Sequence, residues 1–471
     1  MLPFISDPQQ WAHLHFGETL LGDPRRTRRL VHFAAAMAED PAGSIPRICG
    51  NWADTKAAYR LFQQSEVTFE AVCQPHFDMR HQVAGGCFLV LGDTTQLDFG
   101  SQRLIEGVGP LGNGSGRGLL LHSGLLIDPH HTVVLGLAGA VLQPRVPAPA
   151  HETPTASLRR RRETDRFGEL IDQVGAPPAD TVWIHVVDRE GDNYEVFCHA
   201  LQQRVELLVR VRCRSRKVKL SEDASEKVAL QDFVASLPVR ATRKLAVPAK
   251  ARTRCEPARQ ARTATLEVRF GAVWLPWPRP RSPYVQSQGV RQIPVGVISL
   301  REKAPPAAQA RIEWLLYTTW PVNSMRKADE AIGYYCWRWW IEEWHKVIKS
   351  GTRIKARQLE DAERLKPLIG VSAIEAVRLL QLKGLSRSEP ERPAAEVVPK
   401  KYIRMLEVVQ EREIGTVREF FHGVARLGGF LDRKRDGEPG WQTIWHGWEK
   451  LSLMIRGAEA FHNLPDSGIC G

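Results

Sequence analysis

Three carboxylates stand where side chains could do chemistry together. Asp93 lies within "CFLVLGDTTQLDFG", Asp188 closes "TVWIHVVD", and Glu342 sits in "YCWRWWIEEWHKVIK", residues 335–349. Both aspartates fall at or near the ends of apolar runs that read as strands. Taken singly, an Asp there is usually a turn former or a helix cap. Three carboxylates on buried-looking elements are a different case, because each repels the others unless cations are present. Mg²⁺ or Mn²⁺ takes such oxygen ligands, and two ions can clamp the attacking and leaving oxygens of a phosphoryl transfer. This chemistry requires the three groups to converge in space, which separation along the chain does not show.

The segment around Glu342 carries a second pattern. At about 100° per residue, Trp337, Trp340, Ile341, Trp344, Val347 and Ile348 share one side of a helix. Tyr335, Arg338, Glu342 and Lys349 line up in a stripe on the other. An ordinary amphipathic helix with a solvated charged face gives the same wheel.

The elements that must position these groups follow from a pass along the chain. Residues 1 to about 75 read as a helical domain. In "GDPRRTRRLVHFAAAMAED", Asp23 suits an N-cap and Pro24 the first helical position. Arg25, Arg26, Arg28 and Arg29 crowd the first turns, and cations are mildly unfavourable at that end of the helix dipole. A phosphate partner would offset the repulsion. A second helix is expected through "ADTKAAYRLFQQS". From about residue 80, short apolar runs broken by turn residues predict strands, with "DPHH" as a turn between two of them. Strands with flanking helices make an α/β core. Residues from about 212 to 308 read as a β-rich insertion with a basic edge, and "RIEWLLYTTWPV" as a further strand. "LIGVSAIEAVRLLQL" reads as a buried helix. A polar, proline-containing linker, "SRSEPERPAAEVVPKK", then leads to a C-terminal helical module.

Composition narrows the class. The chain has 471 residues, enough for two or three domains, with 43% hydrophobic and 25% charged residues. No apolar run approaches a membrane span, and no signal peptide is evident, so a cytoplasmic location is expected. Eight cysteines without a CxxC pair or a close Cys/His cluster argue for buried free thiols over a zinc site or a disulfide framework. A net charge of +12 suits a polyanion, with nucleic acid the first candidate.

These motifs together resemble a known family. Tyr335, Arg338, Glu342 and Lys349 reproduce the Y-x2-R-x3-E-x6-K signature of the insertion-sequence-four DDE transposases. "GDTTQL" and "DREGDNYEVF" look like that family's two aspartate motifs. "LGDPRRTRRL", "AAYRLF", "WRWWIEEWHK", "AVRLLQL" and "ARLGGFLDRKR" are similar to its segments in the same order, and closest to the branch that includes transposon five. The resemblance spans nearly the whole chain. It implies an RNase H-like α/β catalytic core over 76–370, interrupted by the insertion. An N-terminal helical DNA-binding domain over 1–75 and a C-terminal helical dimerisation module over 371–471 would flank it.

The resemblance also implies roles. Asp93, Asp188 and Glu342 match the metal-binding catalytic triad, with two Mg²⁺ ions expected and Mn²⁺ as a substitute. Tyr335, Arg338 and Lys349 match residues that hold transposon-end phosphates. Trp314 matches a base-stacking tryptophan, although a buried strand residue is its ordinary reading. Arg210 and Arg212 match insertion-domain DNA contacts, and Arg25, Arg26 and Arg29 the helix that binds the transposon end. His345 and Lys346 lie beside the stripe as further phosphate contacts. The implied partners are transposon-end DNA, target DNA and a second copy of the chain in the DNA complex, with no membrane and a place on the nucleoid.

The implied reaction is cut-and-paste transposition through a hairpin, without a covalent protein nucleophile. "ETPTASLRRRRETDRFGEL", with its Arg159 to Arg162 run of unassigned role, and "VPAKARTRCEPARQAR" depart from the family pattern. A catalytically silent DNA-binding relative is the alternative, weighed against by the complete triad and signature. A nuclease without a joining step is a second rival, and a sugar hydrolase using paired carboxylates leaves the basic surplus unexplained.

Overall fold

The computed structural model describes residues 6–100, 105–112, 116–247, 249, 258–307, 309–433 and 436–462. Most of "VPAKARTRCEPARQAR" lies outside them. The N-terminal region holds five helices: α1 (Pro8–Phe16), α2 (Pro24–Glu39), α3 (Ile45–Cys49), α4 (Trp52–Phe62) and α5 (Phe69–Asp78). Each begins on a side chain that accepts a first-turn backbone N–H: Asp7, Asp23, Ser44, Asn51 and Thr68 in order. Such caps are worth about 1 kcal/mol each. Asp23 and Pro24 start α2 as the sequence predicts.

Strands β1 (Gly86–Asp98), β2 (Gly109–Pro110), β3 (Arg117–Asp128) and β4 (Val133–Pro144) follow, with "DPHH" turning β3 into β4. Helices α6 (Pro154–Arg159) and α7 (Arg166–Val174) lead to β5 (Thr181–Val187), α8 (Tyr194–Gln203) and β6 (Glu206–Arg210). β1 pairs antiparallel with β3 and parallel with β5, which pairs parallel with β6. The order β4-β3-β1-β5-β6, three antiparallel strands followed by two parallel ones, is that of an RNase H-like core. Both faces of these strands are covered, which is why β3 and β4 read as nearly unbroken apolar runs. One face carries Leu89, Leu91, Ile184 and Val186, and the other Val90, Trp183 and Val187. α7 lies close on the second face over Gly124, where a Cβ would stand 2.8 Å from Val90 Cγ1.

The insertion contributes β7 (Lys217–Val218), β8 (Val228–Ala229), α9 (Leu230–Ser236), β9 (Ala241–Val247), β10 (Arg262–Pro276), α10 (Pro283–Gln288) and β11 (Gln292–Glu302), before β12 (Glu313–Thr318). Its long strands continue the central sheet in the order β6-β12-β11-β10-β9, so core and insertion share one ten-stranded sheet. Only β7 and β8 form a separate ribbon among the described residues.

Helices α11 (Met325–Trp337), α12 (Trp339–Lys346), α13 (Ala362–Ser388), α14 (Lys400–Gln410), α15 (Val417–Leu427) and α16 (Trp441–His462) complete the chain. The expected linker is more ordered than its composition suggests. α13 runs through Ser388, and Ala394, Val397 and Val398 are buried beyond it. The C-terminal helices close on the end of α2. Arg378 donates to the Ala38 carbonyl at 3.1 Å, the Tyr402 hydroxyl donates to the Glu39 carbonyl at 2.6 Å, and Arg456 donates to Asp40 at 2.8 Å. No described helix is long and apolar enough to cross a membrane.

Candidate active site

Asp93 corrects the sequence reading. It is the eighth of thirteen residues in β1, in the interior of the strand. Pairing with β3 continues past it to Asp98, whereas pairing with β5 stops at Gly92 opposite Val187. Asp93 therefore sits in mid-strand on one side and at the carboxyl end of a parallel pair on the other. Asp188 follows Val187 directly, so the two aspartates lie side by side on strands about 4.8 Å apart. Asp93 accepts from the Thr94 N–H at 2.8 Å, and Asp188 caps a short turn by accepting from the Glu190 N–H at 2.9 Å.

The helix carrying the stripe also departs from the single wheel. It breaks at Arg338 between α11 and α12, then widens into a π-helical turn over Val347–Gly351. A wheel at constant pitch fails across both irregularities. The stripe is not a solvated face. Tyr335 is buried, and Arg338, Glu342 and Lys349 are half-buried. On the apolar side Trp344 is fully buried and Trp337 and Trp340 are half-buried, while Trp339, absent from the expected face, is exposed.

Arg338 connects the helix to the sheet. One guanidinium nitrogen donates to Asp93 Oδ2 at 3.1 Å, and another donates to Glu342 Oε1. Burial pushes the Asp93 carboxyl up to about 6. Arg338 and the Thr94 N–H oppose that shift, and the negative charges of Asp188 and Glu342 add to it. Asp93 thus feels both of the other carboxylates. Among the described residues, no three His, Cys, Asp or Glu side chains are gathered into a ready metal cage. Arg338 holds the space between two of the three.

The remaining candidates fall into distinct places. Arg210, at the end of β6, donates to the Glu313 carbonyl at 3.2 Å and lies beside the Tyr335 hydroxyl. Trp314 on β12 is half-buried, its ring 5.2 Å from that of Tyr335 at 68°. Lys349 is close enough to Asp93 for their charges to interact, and burial with Lys355 nearby lowers its pKa. The structure buries His345, whose pKa falls to about 3 through burial and the nearby charges of Lys349 and Arg338, so its ring is neutral. Lys346 is exposed, donating to Glu343 at 2.6 Å. Arg212 is exposed beyond β6, its side chain without a partner among the described residues.

In α2 the arginines divide. Arg25 is exposed and has no side-chain partner among the described residues. Arg26 donates to the Leu21 carbonyl and to Gln64 and pairs with Glu66 at 3.0 Å, and Arg29 pairs with Asp54 at 2.5 Å. Arg28, outside the candidate set, is exposed and unpaired among the described residues, and Trp52 in α4 is 73% exposed.

Sequence reasoning missed the most connected residue. Arg166, at the start of α7, is buried and donates to Thr94 Oγ1 at 2.7 Å and to Glu190 at 2.6 Å. It ties the strand carrying Asp93 to the turn capped by Asp188, and His122 supports the same Thr94 hydroxyl at 2.8 Å. It lies in the stretch that departs from the family pattern, so no motif pointed to it. Three of the four arginines in the neighbouring run, Arg159 excepted, find acidic partners. Arg160 pairs with Glu152 at 2.7 Å, Arg161 with Glu169 at 2.5 Å, and Arg162 with Asp165 at 3.0 Å and Glu195 at 2.5 Å. The cysteine expectation is mixed: Cys73 and Cys198 are buried free thiols, but Cys213 and Cys336 are exposed.

Comparison with family models finds two matches. Residues 8–67 match a transposase DNA-binding model, and residues 374–468 match a transposase Tn5 dimerisation-domain model. The first covers the capped helices that present Arg25 and Arg28, and the second covers most of α13 and the helices after it. A DNA-binding module and a dimerisation module thus flank the RNase H-like core along the chain and meet at the end of α2, and the chain is a member of the Tn5-like transposases of the insertion-sequence-four family.

Proposed function

We propose that this transposase cuts and joins DNA by metal-dependent phosphoryl transfer at Asp93, Asp188 and Glu342, in a cut-and-paste reaction with a hairpin intermediate. The observation that carries the reading is that Asp93, pushed up to about 6 by burial, lies within the fields of both Asp188 and Glu342, while Arg338 bridges Asp93 and Glu342. An all-oxygen donor set with unrelieved repulsion fits Mg²⁺ or Mn²⁺ once Arg338 turns toward a phosphate. Two such ions, when bound, would supply an activated water and neutralise the leaving 3′ oxygen.

The chain's own groups do the positioning. Arg338, Lys349, Arg210 and the Tyr335 hydroxyl surround the carboxylates and would hold the phosphates on either side of the cut. Water attacks the phosphodiester, and the 3′-hydroxyl leaves with a proton. That hydroxyl attacks the opposite strand to close a hairpin, a second water reopens it, and the freed 3′ end attacks target DNA. Trp314, half-buried beside Tyr335, would stack an extruded base at the hairpin. Buried His122 and His345 keep neutral rings near the carboxylates and add no competing cation.

The test compares the wild type with Glu342→Gln on a plasmid carrying the gene's native flanking DNA, with Mg²⁺ or Mn²⁺. Hairpin-ended excised fragments and joined products from the wild type alone are expected. Binding without cleavage by both proteins would overturn the catalytic reading and leave a DNA-binding relative.

A further inference from the structure

Helix α12 is a segment of eight residues, set off from α11 by the break at Arg338 and from the chain beyond by the π-helical turn. The α-helical pitch is interrupted on both sides, so side chains must fix its rotation about its own axis. That rotation decides whether Glu342 faces the aspartates. Ile341 and Trp344 bury the inner side. Two polar ties join α12 to α13: Trp344 Nε1 donates to the Ala373 carbonyl at 3.3 Å, and Lys383 Nζ donates to Glu343 Oε2 at 2.8 Å.

Lys383 is buried, and burial lowers its pKa, yet it stands between two partners. Glu343 accepts from it on one side. On the other, the ammonium lies 5.7 Å from the centre of the Trp441 ring, at the start of α16. Burial would raise the Glu343 carboxyl, but hydrogen bonds from Lys346 and Lys383 bring it down to about 2. Lys346 holds the second oxygen, Oε1, at 2.6 Å, but it stands on α12 itself and moves with it. Lys383 is therefore the cation that anchors Glu343 to another element. A buried cation is costly unless it is paired, and this pair falls at the residue next to Glu342.

We infer that Lys383 is a positioning residue for Glu342: by tying Glu343 to α13 it sets the rotation of α12 and so the aim of the third carboxylate. The inference rests on the metal-dependent reading above. Under that reading Arg338 leaves Asp93 for a phosphate, and its tie between α12 and the sheet goes with it. The tie through Lys383 remains, so Glu342 keeps its place.

The test uses full-length Lys383→Met and Lys383→Arg. Mn²⁺ affinity is read from the EPR signal of the free ion, with the protein bound to a duplex of the gene's native flanking DNA and the duplex alone subtracted. Residues that support a metal ligand from behind are worth about 10–100-fold in metal affinity or activity. Lys383→Met is expected to weaken Mn²⁺ binding about tenfold and to raise the Mg²⁺ concentration for half-maximal cleavage. DNA affinity without metal should be unchanged. Lys383→Arg keeps the buried cation and is expected to restore most of both. A lower melting temperature with wild-type Mn²⁺ affinity and Mg²⁺ requirement overturns the inference, because a purely structural lysine gives that result. If Lys383→Met does not fold, Glu343→Gln removes the charge from the same tie and is read in the same way. Glu342→Gln is run alongside. Loss of Mn²⁺ binding there with no effect at Lys383 sinks the inference alone, whereas unchanged Mn²⁺ binding there sinks the carboxylate reading itself.

Discussion

Two arginine runs look alike in the sequence and do opposite things in the fold. In α2, Arg26 and Arg29 are tied to Glu66 and Asp54, while Arg25 and Arg28 point out unpaired among the described residues. Ahead of α7, Arg160, Arg161 and Arg162 each find a carboxylate, and Arg166 goes inward to Thr94 and Glu190. The first run offers charge to a partner, and the second spends its charge on holding the turns around Asp93 and Asp188. Density of charge along a chain therefore says little about charge available at a surface. The nearest carboxylates decide, and most of them are distant in sequence.

Acid should have the largest effect, acting on the sheet and helices that both runs brace. His122, His185 and His345 around the sheet, and His76 beneath β4, are buried with pKa values below the 6.5 of free imidazole. At these four sites the unfolded chain binds more protons below pH 6.5, so they lower stability as pH drops through that window, against the smaller opposite contribution of the buried carboxyls Asp93 and Glu375, whose pKa values burial raises. By pH 5 each histidine should cost about 2 kcal/mol. Urea unfolding followed by tryptophan fluorescence at pH 7.5 and pH 5 checks this, and equal midpoints would contradict it.

Arg166→Ala should come next. Loss of three hydrogen bonds, to Thr94, Glu190 and the Glu163 carbonyl, from a buried cation should destabilise by about 2–3 kcal/mol and slow cleavage, with DNA affinity unchanged. Affinity falling in step with cleavage would erase the contrast between the runs. The pair Arg25→Gln/Arg28→Gln should do the reverse, lowering the salt slope of DNA binding by about 2 and leaving the melting temperature unchanged. Arg162→Ala is expected to destabilise by about 1 kcal/mol, read by chemical denaturation, without altering that slope. Arg159→Gln should do least. This residue is exposed at the end of α6 without a partner among the described residues, so a change within about 0.5 kcal/mol is expected. A loss of DNA affinity there would show that the second run also reaches the substrate.

Local signals were legible in the chain. The cap of α2 and the turn after β3 rest on residues within a few positions of one another, and backbone geometry dictates them. The stripe in α11 and α12 was legible as a set of residue types, but not as a surface, because the break at Arg338 and the π-helical turn change the pitch. Asp93 was placed at a strand end because the sequence cannot show that β3 pairs beyond it while β5 does not. The insertion read as β-rich from its composition, yet its joining the main sheet depends on register between β12 and β6, which no local pattern encodes. Arg166 was illegible for the same reason: its partners, Thr94 and Glu190, lie 72 and 24 residues away.

The two rims of the ten-stranded sheet meet water differently. β9 ends one side with an exposed strand bearing Arg243 and Lys244, and such charges discourage another strand from adding there. β4 ends the other with twelve residues, nearly all buried. Its outward backbone is covered: the Leu137 N–H donates to His76 of α5, and Gln381 of α13 donates to the Val134 carbonyl. The helices at the two ends of the chain therefore act as a built-in guard against aggregation. A fragment trimmed to the sheet alone would bare a long apolar edge and self-associate, however well its own strands were formed.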